Sequence, residues 1–389
     1  MRRCLREPGA LPAPAPRGAA QGGAPGQGAD GDAGPGVPAV QAGASASAAG
    51  PGKAPAKERR DWLGRAASLT GLAAWRMAAG RLALAPGAAA TAASLAAPLA
   101  ASMAALPGTA RAAGPIATRA IPSSGEAVPR VGLGSWITFN VGDDAQALDR
   151  CTAVVQAFFA DGGRLIDCSP MYGSSQPTIG HALRTLGRPA ALFSAEKVWT
   201  GSAGEGPAQM EATRRHWGVA RFDLMQVHNL VAWQAHLPHL LQMKADGQLR
   251  YVGITTSEGR RHRDIEAVMR SQPIDFVQLT YNPVDREAEQ RLLPLARERG
   301  IAVLANRPFR EGALLRALEG RLLPPWVVEA GCDGWAQAVL KFIVTHPAVT
   351  CAIPATRRVD HVRQNLGAAR GVMPDAAWRT RLAAHLAAL

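Results

Sequence analysis

From Val131 to the C-terminus, short apolar runs alternate with amphipathic stretches. The runs are VGLGSW from 131, RLID from 164, ALFSAEK from 191, FDLMQVH from 222, RYVGITT from 250, DFVQLTY from 275, IAVLAN from 301 and VTCAIPA from 349. They are of strand length and rich in β-branched and aromatic residues, the pattern of buried strands. Between them lie segments such as REAEQRLLPLARERG, residues 286–300, where Leu292, Leu295 and Ala296 share one helical face and Glu and Arg the other. That period predicts a helix over the segment. Eight strand-plus-helix units in about 250 residues predict an α/β protein built as a parallel (β/α)8 barrel. An open doubly wound sheet would carry a phosphate-binding GxGxxG or a Walker motif after a strand. Gly132-Leu133-Gly134 stops at GxG and runs on into Trp136.

Composition restricts that barrel to residues 116–389. Residues 1–57 are mostly Ala, Gly, Pro and Gln without periodicity, too poor in large apolar side chains to offset ordering entropy, and read as a disordered low-complexity extension. The formal net charge is +13, but residues 1–115 hold 12 Lys and Arg against 5 Asp and Glu, and the remainder 31 against 25. Scattered in this way, without interleaved aromatics, the basic residues describe a solvated surface and no nucleic-acid partner. The five cysteines, Cys4, Cys151, Cys168, Cys332 and Cys351, are unclustered, so neither a disulfide framework nor a zinc site is expected.

Residues 58–112 read differently again. ERRDWLGRAASLTGLAAW begins with paired arginines, residues 82–106 carry no charge, and Ala110-Arg111-Ala112 offers small residues at a spacing a signal peptidase accepts. The order resembles a twin-arginine export signal, which implies a periplasmic protein handled by the twin-arginine machinery and cut near Ala112. A retained membrane anchor and an addressless extension on a cytoplasmic protein are the alternatives.

Candidate chemistry gathers at the ends of neighbouring runs. Asp167 ends the second, Lys197 the third and His228 the fourth, and Tyr172 follows in the loop after the second. Taken singly, Asp167 reads as a helix cap, Tyr172 as a loop residue, Lys197 as a solvated lysine and His228 as a core histidine. Together they would lie on the carboxyl face of the barrel, where barrel enzymes keep their chemistry. Two facing carboxylates for a hydrolase are not in evidence, and the HxxH of His236 and His239, flanking Pro238 in a helical stretch, reads as a solvated face rather than a metal site.

PRVGLGSW at 129–136, DCSPMYGSSQPTIGHAL at 167–183, the lysine ending SAEK, DLMQVHN at 223–229, YVGITT at 251–256 and IPATRRVDHVRQNL at 353–366 resemble the aldo-keto reductases in order and spacing across residues 120–389. The resemblance implies an NAD(P)H-dependent oxidoreductase that reduces aldehyde or ketone carbonyls as a monomer on a small-molecule substrate. Tyr172 would be the general acid, Lys197 and Asp167 its tuning pair, and His228 the group that orients the carbonyl. It further implies cofactor contacts from Gly134, Ser135, Trp136, Thr255, Thr256, Gln278, Asn306, Arg307, Thr356, Arg357 and Asn365, with Trp136 and Trp199 walling an apolar substrate pocket. Asn306 stands where the family usually stacks an aromatic residue on the nicotinamide. Ala355 stands where a lysine is common, but Thr356, Arg357 and Arg358 follow, and an arginine fork suits the 2′-phosphate of NADPH better than NADH. A lysine ammonium about 4 Å from the phenol, at an effective dielectric of roughly 20, would favour phenolate by about 4 kcal/mol, so the pKa of Tyr172 is expected to be lowered. The alternative function is a cofactor-holding, redox-sensing or partner-binding module with little turnover.

Overall fold

The computed structural model describes residues 114–389. The low-complexity segment and the signal-like segment lie outside the described residues. Eight parallel strands form one sheet, β3 (Leu133–Gly134), β4 (Leu165–Asp167), β5 (Phe193–Val198), β6 (Phe222–Val227), β7 (Leu249–Thr255), β8 (Phe276–Thr280), β9 (Ala302–Asn306) and β10 (Cys351–Ala352), each beside its sequence neighbour. Parallel bridges from Val131 to Ala352 and from Gly134 to Ala355 join the last strand to the first, so the sheet closes on itself. A Cβ on Gly134 would stand 2.7 Å from the Ile353 carbonyl, and only glycine lets the seam come this close.

The described α-helices are α1 (Ala145–Ala160), α2 (Ser175–Thr185), α3 (Gly206–Trp217), α4 (Trp233–Ala245), α5 (His262–Ser271), α6 (Leu292–Arg299), α7 (Ala313–Ala317), α8 (Pro325–Glu329), α9 (Trp335–Val344), α10 (Val359–Gly367) and α11 (Ala376–Ala387). None is long and apolar enough to cross a membrane. The helix expected over residues 286–300 is shorter than its apolar period. Pro294 sits in the first turn of α6, where its ring excludes the carbonyl of residue 290, and Arg291 leaves helical backbone at φ −139°. A separate 3-10 turn, Glu287–Glu289, precedes the break.

Alternation along the strands divides the apolar residues into two cores. Ile166, Val198, Met225, Val227, Val277 and Val303 face the helices, while Leu165, Phe193, Ala195, Leu224, Tyr251, Phe276, Ala302 and Leu304 fill the barrel. Residues 118–129 form a short antiparallel hairpin, β1 (Thr118–Ala120) and β2 (Ala127–Pro129), whose Ile121 and Val128 are fully buried in the interior cluster. The hairpin plugs the amino end of the barrel. Continuing inward at two-residue intervals toward the carboxyl end, the apolar layers give way to Asp167, Lys197, Gln226 and Gln278, all buried.

Candidate active site

Register brings this polar layer together. Gly134 pairs with Asp167, Lys197 with Gln226 and Thr255 with Gln278, so inward side chains at those rungs meet at one height. Lys197 Nζ donates to Asp167 Oδ2 at 2.7 Å and to the Cys168 carbonyl at 2.6 Å, and its side chain has no exposure. Asp167 Oδ1 accepts from Gln278 Nε2 at 2.8 Å and from Gln226 Nε2 at 3.4 Å. The carboxylate is thus held from both sides, as a buried charge must be.

Tyr172 lies in the loop between β4 and α2, its ring centroid 5.1 Å from Lys197 Nζ. Its ring lies 4.9 Å from that of Trp136 and 5.9 Å, edge-on, from His228. His228 directly follows β6, and Trp199, directly following β5, stands 6.5 Å from it between ring centroids. Tyr172, His228, Trp136 and Trp199 therefore form one aromatic wall above the Lys197–Asp167 pair. Trp199 is 40% exposed, so it borders the wall on the solvent side.

Electrostatics correct one expectation. Burial pushes the Tyr172 phenol well above its ordinary value, and the opposing pull of the Lys197 ammonium does not overcome it. Burial is the largest cause, and Asp167, 2.7 Å from the same ammonium, opposes the lysine by raising the pKa in its turn. Burial alone would lower Lys197, but Asp167 holds the ammonium above its usual range. Burial, followed by the Lys197 charge, keeps His228 well below the ordinary histidine value, so its imidazole is neutral at neutral pH. On the other face of β5, Glu196 is fully buried and accepts from Gln176 Nε2, the Lys197 amide and Trp217 Nε1. Burial raises it to about 7 despite these donors.

The residues assigned to cofactor contact divide by what already occupies them. Ser135 Oγ donates to the Asp167 carbonyl at 2.9 Å, and Gly134 is used by the seam. Asn306 Nδ2 donates to the Thr256 carbonyl at 2.8 Å, its Oδ1 accepts from Thr280 Oγ1 at 2.7 Å, and Thr256 Oγ1 donates to the Arg260 carbonyl. Gln278 is turned to Asp167. Thr255 Oγ1 accepts the Asn229 amide at 2.9 Å and keeps its own hydrogen to donate. Arg307 is paired with Glu258 and Glu311. Asn365 is buried in α10, and Thr356 Oγ1 accepts the Arg358 amide at 3.1 Å. Arg358 is committed to Asp360, whereas Arg357 is exposed and has no ion pair among the described residues. Arg357 stands just ahead of the α10 N-terminus, whose free amides favour anions. The donor set fits a phosphate there.

Two further points were not visible in the sequence. His236 does not lie on a solvated face: it is buried, with Nε2 2.9 Å from the Thr200 carbonyl, while His239 is exposed. Burial follows from α4 turning that side toward the loop after β5, which a two-histidine spacing cannot reveal. Ser169, fully buried, lies with Oγ 2.8 Å from His228 Nδ1. Its place two residues after Asp167 was the available signal, lost among turn formers.

Comparison with known proteins fits this geometry. The model of the Aldo/keto reductase family matches residues 130–381. The methylglyoxal reductase of Escherichia coli (strain K12) is 25% identical over 243 residues, spanning 61% of this chain and 84% of that protein. An NADH-specific methylglyoxal reductase of the same organism is 25% identical over 228 residues, 50% of this chain and 68% of that protein. Among solved structures, an aldo/keto reductase from Klebsiella pneumoniae in complex with NADP and acetate superposes with a TM-score of 0.56 at 23% identity, covering 66% of this chain and 92% of that one. An aldo-keto reductase from Bacillus halodurans in its holo form gives a TM-score of 0.58 at 21% identity over 70% of this chain and 96% of that one.

Proposed function

The chain belongs to the aldo/keto reductase family, and from that premise we propose that it is an NADPH-dependent reductase of aldehyde and ketone carbonyls with Tyr172 as general acid. The observation that carries this reading is the sealed Lys197–Asp167 pair beneath Tyr172, with the His228 ring set T-shaped to the phenol ring. When bound, a reduced nicotinamide supplies hydride to the carbonyl carbon. The residues of this chain manage the other half of the reaction. As the carbonyl oxygen gains the electron pair of its π bond, Tyr172 passes its hydroxyl proton to that oxygen, completing an alcohol. A phenol held above its ordinary pKa is fully protonated at neutral pH, as a donor for reduction must be. The phenolate left behind lies beside the Lys197 ammonium, which stabilises it, and His228 gives the oxygen a second, uncharged contact. Trp136 and Trp199 flank the approach with apolar surface.

The test is turnover with NADPH on a carbonyl panel headed by methylglyoxal, the substrate in two relatives' names, with aromatic aldehydes beside it. Tyr172→Phe should lower kcat at least about 100-fold, the scale of a positioned proton donor. Cofactor binding, read by tryptophan fluorescence quenching, should stay within a few-fold. A Tyr172→Phe protein with undiminished turnover sinks the assignment.

The preference for NADPH rests on Arg357, the guanidinium beside the α10 N-terminus with no ion pair among the described residues. Arg357→Ala should weaken NADPH binding by roughly 1.5–3 kcal/mol and leave NADH nearly unchanged. Equal losses would make the arginine structural.

A second proposal concerns address, and its support is ERRDWLG ahead of an uncharged stretch. A barrel that needs a nucleotide made in the cytoplasm suits twin-arginine transport, which moves folded proteins with their cofactor bound. In a fractionated bacterial host the full chain should reach the periplasm and lose the segment before about residue 113, and changing both Arg59 and Arg60 to lysine should hold it back. Identical cytoplasmic, full-length distributions would end this reading.

A further inference from the structure

The geometry points to Ser169 as a positioning residue that fixes the tautomer of His228 by donating its hydroxyl hydrogen to Nδ1, leaving Nε2–H as the hydrogen-bond donor facing the substrate carbonyl. The inference deepens the reductase reading and rests on it for its meaning, although the tautomer itself can be measured without substrate.

The argument begins with the hydrogens of Ser169. Its side chain is fully buried, and its Oγ has two neighbours: the Met171 amide at 3.2 Å and His228 Nδ1 at 2.8 Å. The amide can only donate, so Oγ accepts there. A serine hydroxyl carries one hydrogen of its own, and a buried hydroxyl hydrogen without an acceptor costs its desolvation. Among the described residues the acceptor within reach is Nδ1. Were the ring to carry its proton on Nδ1, two donors would face Oγ and the serine hydrogen would be stranded. With the proton on Nε2, every group is satisfied.

The ring's charge state agrees with its position. Burial and the nearby Lys197 ammonium both disfavour an imidazolium, so His228 carries one ring proton, and its placement decides whether Nε2 donates or accepts. Nε2 has no hydrogen-bond partner among the described residues, and the ring stands T-shaped to that of Tyr172 with 5.9 Å between centroids. A carbonyl oxygen served by Tyr172 needs a donor from its second neighbour. An Nδ1–H tautomer would instead present a lone pair to that oxygen. Ser169 reaches the site along the same loop as Tyr172, because Tyr172 N donates to the Ser169 carbonyl in a tight turn. One turn therefore places the acid and sets the state of its partner.

The experiment is nitrogen NMR of the full chain labelled with 15N-histidine, with His228 assigned by its loss in His228→Gln. In the wild-type protein Nε2 should show a directly bonded proton and Nδ1 should resonate as an unprotonated ring nitrogen. Ser169→Ala should mix the two tautomers and lower kcat about tenfold, the worth of one net hydrogen bond, with KM for the carbonyl within about twofold. Ser169→Thr, which keeps the hydroxyl, should restore the Nε2–H signal. A wild-type His228 protonated on Nδ1 overturns the inference, as does a folded Ser169→Ala protein with an unchanged His228 spectrum. Should Ser169→Ala fail to fold, the wild-type spectrum still decides. Loss of the reductase reading through Tyr172→Phe would leave the spectrum intact, so the two failures are separable.

Discussion

The two ends of the barrel both hold ion pairs, and they hold them on opposite terms. At the amino end Arg250 is bracketed by Glu126 and Asp223, with side chains 32%, 19% and 16% exposed, and Glu126 also receives Arg164 and the Tyr251 hydroxyl. Water shares those charges, so each pair adds little and tolerates loss. At the carboxyl end Lys197 and Asp167 are 0% and 3% exposed. There no solvent can replace a missing partner, and the pair is costly to bury, obligatory once buried, and able to move the pKa of its neighbours. The hairpin plug thus spends polar residues on closing a hole, and the opposite rim keeps a buried charge pair beneath its acid.

The sharpest way to break this contrast is to unpair one end. Asp167→Asn strands a buried ammonium and should destabilise the protein by about 3–5 kcal/mol in urea unfolding, with turnover lost. A pH series sharpens it further. Because the folded pKa of Lys197 is raised above its ordinary 10.5, the stabilisation from its charge is complete below that value and is lost as pH rises through the folded value. Wild-type protein should therefore show an alkaline fall in stability above about pH 10.5 that Lys197→Met lacks. At the amino end Glu126→Ala should cost only about 1–2 kcal/mol, the scale of a few solvent-shared polar contacts, with kcat unchanged. A loss there as large as that of Asp167→Asn would erase the distinction. Smallest in stability is Trp199→Ala, expected within about 0.5 kcal/mol for an exposed side chain but raising KM for apolar carbonyls.

Sequence alone conveyed the barrel and the polar residues at its strand ends for the same reason. A period of two puts Asp167, Lys197 and Gln278 on the inward faces of runs whose other inward positions are apolar, so the polar ones stand out. Gln226 stood on the same face, two residues before His228, and could have been read in the same way. The β1–β2 hairpin could not, because TRA and AVP are three-residue strands whose stability comes from the barrel they cover. Nor could the state of Tyr172: a pairwise estimate with Lys197 omits both burial and the carboxylate that neutralises the lysine. Asn306 was conspicuous as a departure, but that its amide would be spent on Thr256 and Thr280 is a fact of neighbouring strands.

The seam between β3 and β10 carries a last consequence, for the order in which the molecule can be made. The partners Val131 and Ala352 stand near opposite ends of the described chain, and the Ala117 amide is tied to the Ala369 carbonyl beside them. During synthesis the first strand must therefore wait, its edge unpaired, until Ala352 has left the ribosome. Lys197 and Asp167 meet earlier, but the ring of strands around them is completed only when Ala352 and Ala355 arrive. A nascent chain arrested before Ala352 would hold Tyr172 without a closed wall behind it.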